Sequence, residues 1–383
     1  MKILYWTPRF WPDVGGVLTL AMRTLPQLMK RGIDFVVVTS HGTTRQPDFA
    51  EYEGIPIQRF PFWSALTQND VPLILKIRKD INALKIAFDP DLIHINFSGY
   101  TAFFQVVTAG NNPISTLIAL QSNITELKSG SGTTLGKLFH LADWVTAISK
   151  STLEIACKTI PEIAGRSSVI YGCADENSMV PTPYSSNPPG VLGIGRLSHE
   201  KGFDLLIDGF SLIATRFPNL SLTIIGDGPE RISLEPQVIN MNLKDRVKFL
   251  GSIPNEDLPK YINNASLVVI PSRCKETFGL VAVESAWMAR PVVAANTGGL
   301  AEIVVDGETG FLVDMENSLT IANAIVTLLS QPEKAASMGL AGRLRVQKEF
   351  SLAKFVDAYD LLYKHLANKK NTKTLGKSIE NET

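Results

Sequence analysis

The sequence predicts an α/β protein made of two doubly wound domains that face a central cleft. In both halves of the chain, short apolar runs alternate with helical patterns, which is typical of parallel strands joined by crossover helices. A segment rich in Pro, Ser and Asn, YGCADENSMVPTPYSSNPPG at residues 171–190, interrupts this alternation and predicts a linker. With 383 residues, the chain is also too long for one ordinary hydrophobic core, so two domains are expected.

The first domain is expected to span residues 1–172. Its predicted strands are at residues 2–6, 35–39, 92–95, 115–120 and 145–148, and its predicted helices are at residues 17–30, 72–88 and 149–159. Gly32 closes the first of these helices, because glycine readily adopts the left-handed conformation that ends a helix.

The alternation restarts after the linker, which we place at residues 173–189. Strands are predicted at residues 191–195, 220–226, 247–250, 267–270 and 292–294, with helices between them, in a second domain of residues 190–348. A last helix is expected within residues 349–368, and the polar segment 369–383 is predicted to be disordered.

Composition and charge exclude several classes of protein. The 37 basic and 37 acidic residues balance, so there is no electrostatic case for binding nucleic acid. Cys157, Cys173 and Cys274 lack metal-binding spacing and point to a reducing compartment. No apolar run approaches the ~18 residues of a membrane span, and the N-terminus lacks the apolar core of a signal peptide. We therefore expect a cytoplasmic location, with the inner face of the membrane as an alternative.

The most informative segment is IPSRCKETFGLVAVESAWMARPVVAANTGGLAE at residues 270–302. Glu276 and Glu284 bracket a Phe-Gly-Leu turn at residues 278–280 that opens a helix, with Thr277 as its expected N-cap. A helix N-terminus carries about half a positive charge and unpaired N–H groups, so it attracts phosphate. Carboxylates at such a place are better suited to holding sugar hydroxyls.

A second cluster lies in GRLSHEKG at residues 195–202. Arg196 and Lys201 flank a turn at the carboxyl end of a predicted strand, where ligands bind in open parallel sheets. Arginine offers a planar fork and lysine a movable charge, so the pair suits a diphosphate leaving group whose charge grows as a bond breaks. A solvated turn with ordinary surface charges is the alternative.

Four motifs occur in order. They are G-R-L-x-x-x-K-G at residues 195–202, G-D-G-P at 226–229, E-x7-E at 276–284 and T-G-G-L-A-E-I-V-x-D-G-x-T-G-F-L-V at 297–313. With these motifs the chain resembles the retaining glycosyltransferases of family four, the group of glycogen synthases and mannosyltransferases. The resemblance is specific across residues 190–315 and looser before residue 170. It implies the GT-B architecture, in which a Rossmann-like acceptor domain precedes a Rossmann-like nucleotide-sugar domain and the last helix packs back on the first domain.

The resemblance also implies roles for individual residues. Arg196 and Lys201 bind the donor diphosphate, Glu284 binds the ribose hydroxyls, and Glu276 contacts the transferred sugar. Arg196, Lys201 and Glu276 are the expected catalytic residues. Further donor contacts are expected at Gly16, Gly195, Gly226, Phe278, Gly279, Leu280 and Gly298.

Contacts with the sugar or acceptor are expected in the first domain at Gly15, His94 and Gln121. Gly15 and Gly16 follow the first strand, and a plain strand-to-helix turn is their alternative role. A lone histidine among apolar neighbours, such as His94, is usually structural. Gln121 is a departure from the family, which commonly has a histidine there; glutamine hydrogen-bonds but carries no proton. A second departure precedes Gly172, where a tyrosine replaces the usual asparagine.

No metal site and no cofactor are expected. Asp89-Pro90-Asp91 has the D-x-D spacing of metal-dependent glycosyltransferases, but it leads directly into the predicted strand 92–95. We interpret it as a turn that ends a helix. The nucleotide sugar is a substrate, and the protein's own cations are expected to neutralise its diphosphate.

Aromatic and basic residues of the first domain suggest a membrane-facing surface for a lipid-linked acceptor. The aromatic residues are Trp6, Phe10, Trp11, Phe60, Phe62 and Trp63, and the basic ones are Lys76, Arg78, Lys79 and Lys85. Core packing combined with a solvated charged face is the alternative, and the residue types favour it.

The sequence thus predicts a metal-independent, retaining hexosyltransferase. It would move a sugar from a UDP- or GDP-sugar to a hydroxyl of a glycan or lipid-linked acceptor, in surface polysaccharide or glycolipid synthesis. A catalytically silent, donor-binding subunit of a transferase complex is the main alternative, which the departures at Gln121 and Gly172 motivate. A sugar-nucleotide epimerase is disfavoured, because the acid–base pairs it needs are not evident in the first domain.

Overall fold

The structure is a computed structural model that describes residues 1–13, 15–42, 46–96, 99–110, 114–124, 133–174, 179–185, 187–188 and 190–380. It divides into two compact units. Unit 1 contains Met1–Tyr171 and Ala353–Thr383, and unit 2 contains Gly172–Leu352. Each unit has a sheet of mainly parallel strands connected through helices, which confirms the predicted α/β class with two parallel-sheet domains.

A mostly parallel sheet forms the centre of unit 1. Its strands are β1 (Lys2–Trp6), β2 (Asp34–Ser40), β3 (Phe49–Tyr52), β4 (Ile55–Phe60), β5 (Leu92–Asn96), β6 (Ser115–Leu120), β7 (Trp144–Ala147) and β8 (Ser167–Val169). They lie in the order β3-β4-β2-β1-β5-β6-β7-β8, and β3 pairs antiparallel with β4. All residues of β5 and β6 are buried, as expected for central strands that are covered on both faces.

Helices join these strands. They are α1 (Gly16–Met29), α2 (Phe62–Thr67), α3 (Val71–Phe88), α4 (Gly99–Val107), α5 (Thr134–Leu141) and α6 (Lys150–Thr159). The start of α3 is fixed by Asp70, whose side chain accepts a hydrogen bond from the Leu73 N–H at 3.0 Å. Ile77 and Ile81 on the inner face of α3 belong to the core of unit 1.

Unit 2 also has a central sheet, and all of its described strand pairs are parallel. Its strands are β9 (Gly190–Ile194), β10 (Ser221–Ile225), β11 (Val247–Gly251), β12 (Leu267–Ile270), β13 (Val292–Ala295) and β14 (Gly310–Val313). Their order is β11-β10-β9-β12-β13-β14. The helices are α7 (Phe203–Ala214), α8 (Arg231–Asn240), α9 (Leu258–Asn264), α10 (Leu280–Trp287), α11 (Leu300–Ile303), α12 (Ser318–Ser330) and α13 (Pro332–Glu349).

The last helix, α14 (Leu352–Glu380), packs in unit 1, as the family resemblance implies. Its residues Phe355, Tyr359, Tyr363 and Leu366 are buried. The helical backbone continues to Glu380, whereas the sequence predicts a disordered tail from residue 369. Four lysines at residues 369–380 favour helix, whereas the asparagine, threonines, glycine and serine between them do not.

Part of the predicted linker is fastened to unit 2. The buried Arg290 guanidinium donates to the Thr182 carbonyl at 3.2 Å and to the Asn263 carbonyl at 2.6 Å, and it lies over the Tyr184 ring. The Asn263 side chain in turn donates to the Val180 carbonyl at 2.9 Å. Residues 179–185 therefore follow the surface of unit 2 through specific hydrogen bonds.

The aromatic and basic residues proposed for a membrane-facing surface separate into two groups. Most of the aromatic ones, namely Trp6, Phe10, Phe60 and Phe62, are buried in unit 1, whereas Trp11 and Trp63 are exposed. Lys85 is not a surface cation: its Nζ donates to Gln105 and Thr108 at 2.9 to 3.0 Å, and burial lowers the pKa of its ammonium group to about 8. None of the described helices combines the length and apolar character needed to cross a membrane.

Candidate functional site

Loops that carry predicted site residues leave the carboxyl edge of the unit 2 sheet. They are residues 195–202 after β9, 226–230 after β10, 271–279 after β12 and 296–299 after β13. Because β9 lies between β10 and β12, and β13 follows β12, these loops come from neighbouring strands. The carboxyl edge of an open parallel sheet is where ligands bind in such folds.

Lys201 and Glu276 meet at this edge. Lys201 Nζ donates to Glu276 Oε1 at 2.5 Å, and Ser272 Oγ donates to the same oxygen at 2.6 Å. The Lys201 and Glu276 side chains are 28% and 13% exposed, so the ion pair is partly shielded from water. Short charge-assisted hydrogen bonds of this kind fix the position of both charges.

Arg196 stands at the start of the first loop. Its side chain is exposed, and among the described residues it forms no ion pair. The backbone next to it is held firmly, because the Leu197 N–H donates to the Asp227 carbonyl at 3.0 Å and the Leu197 carbonyl accepts from Glu230 at 2.9 Å. The guanidinium is therefore an exposed cation on a hydrogen-bonded backbone.

A second ion pair ties the loop after β12 to the start of α7. Both terminal nitrogens of Arg273 donate to the Asp204 carboxylate at 2.6 Å, and the Arg273 N–H donates to the Glu200 carbonyl at 2.9 Å. Burial is the largest single influence and would raise the pKa of Asp204, but the hydrogen bonds and the charge of Arg273, together with hydrogen bonds from the backbone N–H groups of Asp204 and Leu205, outweigh it and lower that pKa. The pair therefore stays charged and keeps loops 195–202 and 271–279 together.

Glycines allow these loops to approach one another closely. Gly202 has φ 67°, and a Cβ there would overlap the Pro271 carbonyl oxygen. Gly298 has φ 52°, and a Cβ there would overlap the backbone of Glu276. The neighbouring Gly299 N–H donates to the Glu276 carbonyl at 2.8 Å. In this structure, Gly298 thus supports the backbone of Glu276, and any larger residue would displace it.

The helix that follows Glu276 begins later than predicted. Gly279, with φ 113°, is the N-cap of α10, and Thr277 is not, because the first hydrogen bond of the helix runs from the Ala282 N–H to the Gly279 carbonyl. The N–H groups of Leu280 and Val281 precede that bond and lie at the positive end of the helix. The preceding Phe278 ring is buried against Phe350, so only its backbone can face a ligand. Glu284, half-buried, lies in the second turn of α10.

The loop after β10 is a tight turn. Asp227 accepts hydrogen bonds from the Gly228 N–H at 2.7 Å and from the Arg231 guanidinium at 3.2 Å, and such local contacts are typical of aspartate in turns. Gly226 and Gly195 touch through their backbones, since a Cβ on Gly226 would overlap the Gly195 carbonyl. Gly195 and Gly226 are the first residues of the loops that carry Arg196 and Asp227, and the two loops therefore touch at their starting points.

The predicted contacts in unit 1 have different environments. Gly15 is the N-cap of α1 and Gly16 its first residue, at the carboxyl end of β1. His94 is 3% exposed and enclosed by the rings of Tyr5, Tyr359 and Tyr363. Its Nδ1 lies 2.5 Å from the Tyr363 hydroxyl, and burial lowers the pKa of its imidazole to about 3.

The structure places His94 in an enclosed environment, and its contact with a sugar or acceptor stays a prediction. The imidazole faces the interior of unit 1, because α14 supplies tyrosines that cover it. Gln121 and Asn96 line the same small cavity, of about 20 Å³, and the side-chain oxygen of Gln121 is buried. A cavity of that size has room for about one water molecule.

The D-x-D segment lies at the opposite, amino edge of the unit 1 sheet. Asp89 ends α3 in the left-handed conformation, and the Asp91 carboxylate accepts a hydrogen bond from the Lys2 N–H at 2.8 Å. These contacts agree with the helix-ending turn inferred from the sequence. Across the described parts of the chain, no three His, Cys, Asp or Glu side chains are grouped as metal ligands would be.

Sequence reasoning missed Ser272 and Arg273. Both follow β12 directly, in a Pro-Ser-Arg run whose position at a strand end was the available signal. Neither residue belongs to a spaced motif, so their partners Glu276 and Asp204 become visible only in the fold.

Comparison with known families gives two adjoining matches. Residues 14–178 match the model described as Glycosyltransferase Family 4, and residues 175–345 match the model described as Glycosyl transferases group 1. Together they extend over the loops and helices that carry the candidate site.

One similar curated protein is the GDP-mannose-dependent alpha-(1-6)-phosphatidylinositol monomannoside mannosyltransferase of Mycolicibacterium smegmatis. It is 35% identical over 161 residues, which are 40% of this chain and 42% of that protein. The matched part of the chain thus spans less than half the length of this curated relative.

Solved structures with the same fold cover nearly the whole chain. A sucrose-phosphate synthase from Thermosynechococcus elongatus superposes with a TM-score of 0.81 at 24% identity, over 95% of this chain and 98% of that chain. The Anabaena protein HepE in complex with UDP gives a TM-score of 0.76 at 24% identity, over 95% of this chain and 100% of that chain. At this level of identity, the likeness establishes the fold.

Proposed function

Since this chain belongs to the family-four glycosyltransferases of GT-B fold, we propose that it transfers a sugar from a nucleotide-diphosphate donor to an acceptor hydroxyl. The observation that carries the proposal is the ion pair of Lys201 and Glu276 at the carboxyl edge of unit 2, in which Lys201 shares its loop with the exposed Arg196. Two cations on one loop and a carboxylate bound to one of them suit a ligand with a diphosphate at one end and sugar hydroxyls at the other.

The donor is a UDP- or GDP-sugar. The mannosyltransferase similar to this chain is named for GDP-mannose, and the structurally similar HepE has been solved with UDP. Glu284, half-buried in the second turn of α10, is assigned to the ribose hydroxyls, since a half-buried carboxylate is favourable when hydroxyl donors bind to it.

Transfer passes through an oxocarbenium-like state in which the departing diphosphate gains charge. Arg196, Lys201 and the first N–H groups of α10 stabilise that charge, while Glu276 holds the hydroxyls of the transferred sugar. The sugar keeps its anomeric configuration, by analogy with the family. The acceptor, a glycan or lipid-linked glycan of surface polysaccharide or glycolipid synthesis, binds to unit 1, where Gly15 and Gly16 lie at the carboxyl edge of the sheet.

Removing either cation should reduce transfer severely. We expect Arg196→Ala or Lys201→Ala to lower kcat/KM for the donor at least ~100-fold, the loss seen when one charge-stabilising group is removed. The measurement is the rate of sugar release or transfer over a panel of UDP- and GDP-sugars. Slow donor hydrolysis without an acceptor is sufficient as a readout.

Arg216→Ala and Lys244→Ala serve as matched controls, because these cations are exposed on the same unit and lie outside the loops of the candidate site. They should keep the activity of the unchanged protein. Near-normal activity of the Arg196 or Lys201 variant would contradict the diphosphate role. Donor binding with no hydrolysis or transfer by the unchanged protein would instead favour the donor-binding subunit.

The reaction should not require a divalent cation, because the protein supplies positive charge of its own at the diphosphate. We expect the initial rate in excess EDTA to equal the rate with added Mg²⁺ or Mn²⁺. Loss of activity in EDTA that returns when a divalent ion is added back would refute this part of the proposal.

A further inference from the structure

The outward face of α3 carries an unpartnered apolar stripe. Val71, Leu75 and Ile86 are 59%, 56% and 81% exposed. At 100° per residue, the three side chains fall within a sector of about 60° around the helix axis. The core of unit 1 does not need them, because Ile77 and Ile81 on the other face of α3 already pack into it.

Cations border this stripe on both sides. Viewed along the helix axis at 100° per residue, Arg78 lies at the Val71 edge of the stripe. Lys79 and then Lys76 lie at its opposite edge, next to the angular position of Ile86. All three cations are exposed, and none of them forms an ion pair with another described residue. An apolar stripe bordered by long basic side chains is the pattern of a helix that lies in a membrane interface, with its cations reaching the lipid phosphates.

Two aromatic residues extend the surface. Trp63 on α2 is 57% exposed, and its ring meets the exposed Tyr100 ring of α4 edge to face at 4.6 Å. Helix α2 packs against both α3 and α4. Tryptophan and tyrosine favour the boundary between water and lipid, because their rings combine an apolar body with a polar group.

We propose that these side chains form a docking surface for an anionic lipid bilayer. The α3 surface comprises Trp63, Val71, Leu75, Lys76, Arg78, Lys79, Ile86 and Tyr100. Anionic lipid head groups complement its unpaired cations, whereas a second copy of the same face would bring like charges together. The proposal goes beyond the donor site and does not depend on it.

The test is flotation of the full chain with lipid vesicles. We expect recovery with vesicles of phosphatidylcholine and phosphatidylglycerol, and little recovery with phosphatidylcholine alone. High salt should release the protein, since exposed charges are screened. Absence of binding to the anionic vesicles, or equal binding to both kinds, would overturn the proposal.

Charge reversal distinguishes binding through the α3 surface from attraction by the overall charge of the protein. Lys76→Glu/Lys79→Glu should lower partitioning into anionic vesicles at least tenfold, since each surface cation contributes about fivefold. Lys244→Glu/Lys248→Glu, on exposed positions of unit 2, has the same change in net charge and should leave partitioning unchanged. Equal losses in the two variants would refute the assignment of the binding surface.

The fluorescence of Trp63 reports whether the α3 surface itself contacts the lipid. Lipids brominated on their acyl chains should quench tryptophan fluorescence in the unchanged protein, and Trp63→Phe should remove most of that quenching. If size-exclusion chromatography with light scattering shows a dimer that Lys76→Glu/Lys79→Glu abolishes, a second copy covers the surface and the lipid proposal is wrong. The thermal shift caused by UDP or GDP should be the same in all variants, so failure of docking is distinguishable from failure of the donor site.

Discussion

At the scale of single residues, two donors converge on one carboxylate oxygen of Glu276. Lys201 Nζ and Ser272 Oγ both reach Oε1, at 2.5 and 2.6 Å. Among the described residues, no hydrogen bond holds Oε2, so under the proposed function we expect this oxygen to bind the ligand. Ser272 is 1% exposed, so we propose that it acts on a substrate only through Glu276, as a positioning residue.

Ser272→Ala should therefore weaken turnover more than donor binding. A hydrogen bond to a charged group contributes about 1.5 to 3 kcal/mol, so we expect kcat to fall about tenfold or more while KM for the donor changes little.

Ser266→Ala is the matched control for this experiment. Ser266 is also fully buried, and its hydroxyl accepts a hydrogen bond from the Gly190 N–H at 3.1 Å, at the amino edge of the sheet just before β12. If the Ser272 and Ser266 variants lose kcat to the same extent, Ser272 has a general structural role and the positioning argument is wrong.

At the scale of elements, α14 completes the core of unit 1. Tyr359 and Tyr363 stack around His94 of β5, and the Tyr359 hydroxyl lies 3.2 Å from Thr146 of β7. At its outer side, α14 holds Arg31 through Asp357 at 2.6 Å and Asp360 at 3.4 Å. The helix is therefore attached to the sheet by a buried aromatic cluster and an exposed ion-pair group, and the buried cluster contributes more.

The buried His94 imidazole should make the free energy of unfolding decrease as the pH falls. The imidazole has a pKa of about 3 in the folded protein and about 6.5 when unfolded, so below pH 6.5 the unfolded chain binds an additional proton. The stabilisation is complete above pH 6.5 and is lost as the pH falls towards 3. From pH 7 to pH 4.5, this single group should lower the free energy of unfolding by about 2 to 3 kcal/mol.

Urea unfolding at several pH values measures this effect. His94→Gln removes the titrating group, so its free energy of unfolding should decline less between pH 7 and pH 4.5 than that of the unchanged protein. His140→Gln, at an exposed position of α5, is the control and should decline as the unchanged protein does. Equal declines in the His94 variant and the unchanged protein would show that the imidazole titrates normally.

At the scale of the whole molecule, both units use one plan, a mainly parallel sheet whose strands are joined through helices. The sequence predicted this plan because buried central strands such as β6 and β12 are continuous apolar runs. It did not predict β3, whose four residues include the exposed Glu51 and have too little apolar character to indicate a strand.

Local motifs led to the candidate site residues, and their roles stay predictions. Arg196, Lys201 and Glu276 lie in spaced motifs, and the structure brings Lys201 and Glu276 into contact. The environment of His94 was not predictable, because its partner Tyr363 is 269 residues away along the chain. Ser272 was overlooked since a single serine in a loop has no period or spacing to identify it.

The membership of α14 in unit 1 has a consequence for biosynthesis. As the chain leaves the ribosome, Tyr5 and His94 emerge long before the tyrosines that cover them, so nascent unit 1 has an open aromatic cavity throughout most of translation. Unit 2 consists of contiguous residues and is able to complete its folding first. A premature stop just after residue 352 would thus harm the amino-terminal half of the protein more than the half next to the stop.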